Sequence, residues 1–115
     1  MQLPIISEKE LEFDKVVVFN TGHIRTEDNE LLTRITQGIQ DESELMVDGH
    51  DYGFRVYVPV DYTDEDFQAV VNSARKEGLS DSVCTIFQIA RATNSNWLKL
   101  DCDGSIYKQL PTFDW

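Results

Sequence analysis

Positive charge is what this sequence has least of. Ten Lys and Arg stand against 21 Asp and Glu, a formal net charge of −11. Nucleic-acid binding draws on basic side chains that displace counterions from phosphates. A chain this acidic is expected to repel a polyanion, and an anionic membrane surface as well. Neither is expected as a direct partner. The surplus also keeps a protein soluble, which is reason enough for any one carboxylate. Cysteine is nearly as scarce. Cys84 and Cys102 are the two, and neither belongs to a CxxC pair or a Cys/His cluster. That argues against structural zinc. No metal and no cofactor is expected. Residues 1–20 lack a basic start followed by a long apolar run, so no secretory signal is expected. No stretch approaches the ~18 apolar residues of a membrane helix. The chain reads as cytoplasmic, with reduced thiols.

What is present fits one ordinary globular domain over residues 1–115. A hydrophobic fraction of 41% is that of a folded protein and not of a disordered tail. At this length about 65% of the unfolded chain's surface is hidden on folding. The domain therefore needs no staples. No repeat, linker or low-complexity segment interrupts it.

Leu3–Ile6 is a short strand candidate in a polar lead-in. Val16-Val17-Val18-Phe19 is a continuous apolar run, the pattern of a central strand covered on both faces. Thr21-Gly22-His23 breaks it. Thr26 then reads as a helix N-cap with acids Glu27 and Asp28 behind it. Leu31, Leu32 and Ile35 share one helical face, and Gly38 closes the helix. Strands are expected at Ser43–Asp48 and Tyr52–Pro59, joined by a turn at Asp48-Gly49-His50-Asp51. A second helix starts at Thr63, carries the stripe Phe67, Val70, Val71 and Ala74, and stops at Gly78. A third covers Asp81 to Thr93 with Val83, Ile86, Phe87 and Ala90 inward. Trp97–Asp101 is the last main strand, with a short extension at Ile106–Tyr107. Leu110, Phe113 and Trp115 are expected to pack down. The order β-α-β-β-α-α-β indicates an α+β domain, a ferredoxin-like or related sheet with helices packed on one face.

Catalytic motifs are thin. An apolar strand ending in Asp101-Cys102-Asp103-Gly104 resembles the nucleophile loop of haloacid-dehalogenase phosphatases. Eleven residues follow Gly104, too few for the doubly wound domain that would supply a lysine and further acids. A strand end and turn explains the same residues. Asp48, His50 and Asp51 lie in one turn and point different ways, which suits a solvated tip better than a metal site. Thr21-Gly22-His23 sits between a strand and a helix, where backbone N–H groups can meet a small anion. It lacks the further glycines and the lysine of a dinucleotide or phosphate loop. Cys84 lies among helix-core residues and reads as buried filler. No nucleophile, base and orienter stand together.

The distribution of charge is more informative. Residues 41–66 contain nine acids, Asp41, Glu42, Glu44, Asp48, Asp51, Asp61, Asp64, Glu65 and Asp66, and one base, Arg55. They account for −8 of the net −11. If the hairpin tip and the start of the second helix adjoin, these acids form one anionic face. Such a face mimics the phosphate ladder of DNA and suits the basic groove of a nucleic-acid enzyme.

Three stretches carry a family resemblance. They are Thr21-Gly22-His23-Ile24 with Asp28 and Leu31-Leu32, then Tyr52-Gly53-Phe54-Arg55-Val56-Tyr57-Val58-Pro59, and last Asp101-Cys102-Asp103-Gly104 with Leu110-Pro111-Thr112-Phe113-Asp114-Trp115. Together they resemble a family of small acidic proteins of unknown function from bacterial plasmids, phages and other mobile elements. The resemblance covers about residues 15–115 and implies only a setting, that of mobile elements, whose small acidic proteins often look like inhibitors of host defence; no residue inherits a role. The leading expectation is thus a non-enzymatic protein that occupies the basic surface of a host protein through Asp41 to Asp66. One rival is a small ligand-binding or enzymatic domain using Thr21–His23 with Asp101 and Asp103. Another is a homodimer paired through its sheet edges or faces.

Overall fold

The computed structural model describes residues 2–38 and 43–115. Four strands and three helices follow in the order β1 (Val16–Asn20), α1 (Thr26–Thr36), β2 (Val47–His50), β3 (Gly53–Tyr57), α2 (Asp64–Glu77), α3 (Asp81–Ala92) and β4 (Trp97–Asp101). The class is α+β, with one mixed sheet ordered β1-β4-β3-β2. The last strand slots between the first strand and the hairpin. It runs parallel to β1, with Val16 beside Trp97 and Asn20 beside Asp101. It runs antiparallel to β3, with Gly53 beside Asp101 and Tyr57 beside Trp97.

Local chemistry explains the best-formed elements. Thr63 caps α2 by accepting the Asp66 N–H at 3.1 Å, and Gly78 ends it at φ +114°. A left-handed residue at a helix end costs glycine least. The start of α1 differs from expectation. Arg25 is the N-cap and Thr26 is already helical. The Asp28 carboxylate accepts the Arg25 N–H at 2.9 Å, and it also accepts the Ser80 N–H and hydroxyl at 2.8 and 2.6 Å. Asp28 therefore closes α1 and ties it to the start of α3. The strand expected at 43–48 lies later, so the hairpin turn is Asp51-Tyr52. No strand forms at Leu3–Ile6 or Ile106–Tyr107; among the described residues a short 3-10 turn at Glu8–Glu10 is the only regular element before β1.

One face of the sheet and the three helices enclose the core. Phe54, Val56, Leu98 and Leu100 meet Leu32 of α1, Val71 of α2 and Ile86 of α3. Each such side chain contributes roughly 1.5–3 kcal/mol. Phe67 and Phe87 stack at 5.0 Å between α2 and α3. Among the described residues no helix covers the opposite face of the sheet, where Arg55 and Tyr57 are exposed. This corrects the reading of β1 as a strand covered on both sides. It is an edge strand, with Phe19 buried and Val16 43% exposed. The C-terminal segment is tied to the turn after β1. His23 is buried, its Nδ1 pairs with the Pro111 carbonyl at 2.9 Å, and its Nε2 accepts the Tyr107 N–H at 2.9 Å.

Candidate functional site

Parallel pairing puts the carboxyl ends of β1 and β4 side by side, and antiparallel pairing brings the hairpin tip to the same end. Three turns far apart in sequence therefore meet: Thr21–His23, His50–Gly53 and Asp101–Gly104. The carboxyl ends of strands in an open sheet are a common place for ligands.

Asn20 joins two of these turns. Its side-chain oxygen accepts the Gly22 N–H at 2.8 Å, while its amide donates to the Cys102 and Gly104 carbonyls at 3.1 and 2.9 Å. The third turn is fixed by the Cys102 N–H, which donates to the Tyr52 carbonyl at 2.9 Å. Gly53 permits the close approach. At φ +153° a Cβ there would stand 1.9 Å from the Leu100 carbonyl oxygen.

Between the turns and α1 lies a cleft of about 570 Å³. Asn29, Thr33 and Thr36 form its helical wall, one stripe of α1. Gly49 to Phe54 form the hairpin wall, and Thr21, Cys102 and Trp115 complete it. The indole N–H of Trp115 donates to the Ile24 carbonyl at 3.0 Å and so fixes the ring. Among the described residues no Lys or Arg lines the cleft, and Asp51 is its one acidic side chain. His50 accepts the Tyr52 N–H on Nδ1 at 3.2 Å, which leaves the proton on Nε2. That Nε2 is shielded from solvent and has no partner among the described residues. A buried donor without an acceptor is costly.

Beside the cleft, Asp101, Cys102 and Asp103 bring a carboxylate oxygen, a thiol and a second carboxylate oxygen within 4.8 Å of one another. The Asp103 N–H bonded to Asp101 at 2.8 Å, with the Lys99 ammonium 3.3 Å away, holds the Asp101 carboxyl below its usual pKa. Exposed acids at a strand end adopt this arrangement for backbone reasons alone. Cys84 is buried, Cys102 is exposed, and both are free thiols.

The acids of residues 41–66 do not share one place. Asp41 and Glu42 lie outside the described residues. Asp51 is at the hairpin tip, and Asp48 faces away from the helices opposite Arg55. Asp61, Asp64, Glu65 and Asp66 follow the far end of β3, and Glu44 precedes β2 at that same end. The span from Asp51 to Tyr57 is about 20 Å of extended chain. Hairpin tip and helix start therefore do not adjoin. Of the far group, Asp64 bonds Arg91 at 2.8 Å. The cleft's own residues were missed because Asn29, Thr33 and Thr36 look like the solvent side of α1. Their recurrence at helical spacing was the available signal.

The site thus belongs to an α+β domain with an open mixed sheet and a polar cleft at the carboxyl ends of its parallel strands. The chain is a member of a family of unknown function, DUF5983, whose C-terminal domain matches residues 16–115. No curated protein and no solved structure is detectably similar to it. Among the described residues no helix is long and apolar enough to cross a membrane.

Proposed function

We propose that the protein binds a small uncharged or cationic molecule in the cleft between α1 and the hairpin. The observation that carries this reading is the meeting of three sequence-distant turns around a hollow walled by Asn29, Thr33 and Thr36 on one side and the hairpin on the other. The Asn29 amide and the Thr21 hydroxyl offer donors to a ligand. Tyr52, Phe54 and Trp115 offer apolar and aromatic surface. The absence of Lys and Arg from the walls disfavours phosphates. A flat ring with hydrogen-bonding edges, such as a nucleoside, or a small amine paired with Asp51, has the matching chemistry.

Thermal unfolding of the protein with nucleosides, sugars, amines and nucleotides tests the idea. A bound ligand at a hundredfold its Kd adds about 2.7 kcal/mol. A nucleoside or amine is expected to raise the Tm of the native chain but not of Thr33→Phe, which fills the cleft. An equal response in both, or a response to nucleotides alone, rejects the reading.

A second reading rests on the carboxylates at the opposite end of the sheet, where Asp61, Glu65 and Asp66 have no basic partner among the described residues. They form an acidic surface for a basic protein such as a nuclease of host defence, in keeping with the resemblance to proteins of mobile elements. Inhibition of DNA-cutting enzymes that fades with salt, and is lost in Asp61→Lys/Glu65→Lys/Asp66→Lys, is the expected result. Inhibition that persists in the triple variant removes it.

A further inference from the structure

The sheet face turned away from the helices has a chemistry of its own. Trp97 and Tyr57 touch edge to face at 5.4 Å, and the Arg55 guanidinium lies 4.5 Å over the Trp97 ring. Val16 lies beside them in register, and Lys99 lies beside Arg55. Trp, Tyr and Arg in contact are the side chains that dominate protein interfaces. In a chain with 21 acids and ten bases, two adjacent bases on a partly apolar face form a specific recognition feature. Lys99 shares its charge with Asp101 at 3.3 Å, and Asp48 stands opposite Arg55 on this same face, beyond ion-pair distance, so the face carries both signs of charge around its aromatic pair.

A second exposed apolar feature lies before β1. Ile5 is 97% and Phe13 65% exposed, and Leu3, Ile6 and Leu11 are also open to solvent. An apolar run of this kind left in water marks an interaction segment. From Glu10 to Asp14 acids and apolar residues alternate strictly, with Glu10, Glu12 and Asp14 on one side and Leu11 and Phe13 on the other. That is the pattern of an extended strand with one acidic and one apolar edge. Its apolar edge suits the cluster of Trp97, Tyr57 and Val16, and its acidic edge suits Arg55 and Lys99 beside that cluster.

We propose that the bare sheet face is a homodimer surface, occupied by the N-terminal arm, residues 2–14, of a second copy. The dimensions permit it. Beyond the turn at Glu8–Glu10, Leu11 to Asp14 reach about 13 Å when extended, and a four-stranded sheet is about 14 Å across. The arm also leaves the body in a fixed direction. The Lys15 carbonyl accepts the Asn96 and Trp97 N–H groups at 2.8 and 3.1 Å, and the molecule is 50 Å long against 32 and 30 Å in its other dimensions. Two copies exchanging arms about a two-fold axis bury both apolar features at once and close the assembly. Glu10 and Glu12 meet Arg55 and Lys99, while Leu11 and Phe13 cover Trp97 and Tyr57.

Light scattering on the full chain over a concentration series tests this. A dimer is expected. Leu11→Asp/Phe13→Asp is expected to give the monomer mass of 13.2 kDa with unchanged circular dichroism. Arg55→Glu/Lys99→Glu is expected to weaken the dimer by about tenfold or more, and adding Glu10→Lys/Glu12→Lys to the same chain to restore it. A monomer for the unmodified chain at every concentration overturns the proposal. So does an undiminished dimer in either double variant, and so does a failure of the charge exchange to restore association.

Discussion

The two ends of the sheet differ in what holds their polar groups. At the carboxyl ends of β1 and β4, Asn20 bonds two turns, Cys102 bonds the third, and Gly53 lets backbone approach backbone. At the opposite end the carboxylates of the α2 start stand exposed, and Asp64 bonded to Arg91 is the one held by an ion pair among the described residues. Groups fixed from several sides keep their geometry without a ligand, which is what a binding cleft requires. Groups held only by water are suited to long-range attraction of a basic partner. Charge density alone therefore does not locate a site; the number of independent restraints on each group separates the two ends.

The sharpest way to break that contrast is to deny the turns their close approach. Gly53→Ala places a methyl group against the Leu100 carbonyl oxygen in a conformation that side chains rarely adopt. A loss of about 4 kcal/mol, or no soluble folded protein, is expected. Chemical denaturation measures it. A change below 1 kcal/mol shows that the strands separate freely there. Asp28 comes next. Asp28→Ala strands the Arg25 and Ser80 donors at the buried junction of α1 and α3. About 3 kcal/mol is expected to be lost, with Ser80→Ala alone losing less because its backbone N–H keeps the carboxylate. Similar losses from the two variants mean that the hydroxyl bond carries the junction.

Asn20→Ala removes three hydrogen bonds that join the turns and is expected to cost about 2 kcal/mol. It also frees one wall of the cleft, so ligand-dependent stabilisation should fall further than the stability does. Equal ligand shifts in the variant and the native chain would detach Asn20 from the site.

The helices were legible in the sequence because their signals are local. Thr63, Gly78 and the stripe of α2, and the apolar positions of α3, lie within a few turns of the elements they define, and β4 covers the expected Trp97–Asp101. The sheet was legible only in part. Pairing of Val16 with Trp97 spans most of the chain, and nothing near either residue encodes it. The valine run of β1 indicated double coverage because one-dimensional hydrophobicity does not say whether a neighbour exists. Asp28 resembled a residue placed for the helix dipole, whereas its partner Ser80 lies in another helix. The three turns of the site were each visible as ordinary turn chemistry. Their convergence follows from strand order, which the element order leaves open.

Cys84 supplies a smaller effect that depends on pH. Burial pushes its thiol above the ordinary value of 9.0, against the opposing pull of Arg75. The folded chain therefore holds this proton more tightly than the unfolded chain. Its contribution to stability is complete below the unfolded value and is lost as pH rises through the folded one. Native protein is expected to lose stability above about pH 9 more steeply than Cys84→Ala. It is also expected to resist alkylation at Cys84 while Cys102 reacts. Parallel alkaline limbs in the two proteins would assign the loss elsewhere.

The smallest effect belongs to the exposed end, and it is the one that tells the two ends apart. Glu65→Gln and Asp66→Asn keep shape and remove charge in the first turn of α2. Each is expected to change stability by about 0.5 kcal/mol, the weight of a helix-dipole contact in water, and that change should shrink as salt is added. The bond to the Thr63 hydroxyl comes from the Asp66 backbone N–H and not from its carboxylate, so it survives both substitutions. Asn20→Ala should show almost no salt dependence, because its hydrogen bonds join uncharged groups. A loss of 2 kcal/mol or more at Glu65 or Asp66, independent of salt, would mean that these acids are fixed by the fold as firmly as the turns at the other end. The contrast between restrained and solvated groups would then no longer distinguish the cleft from the acidic surface.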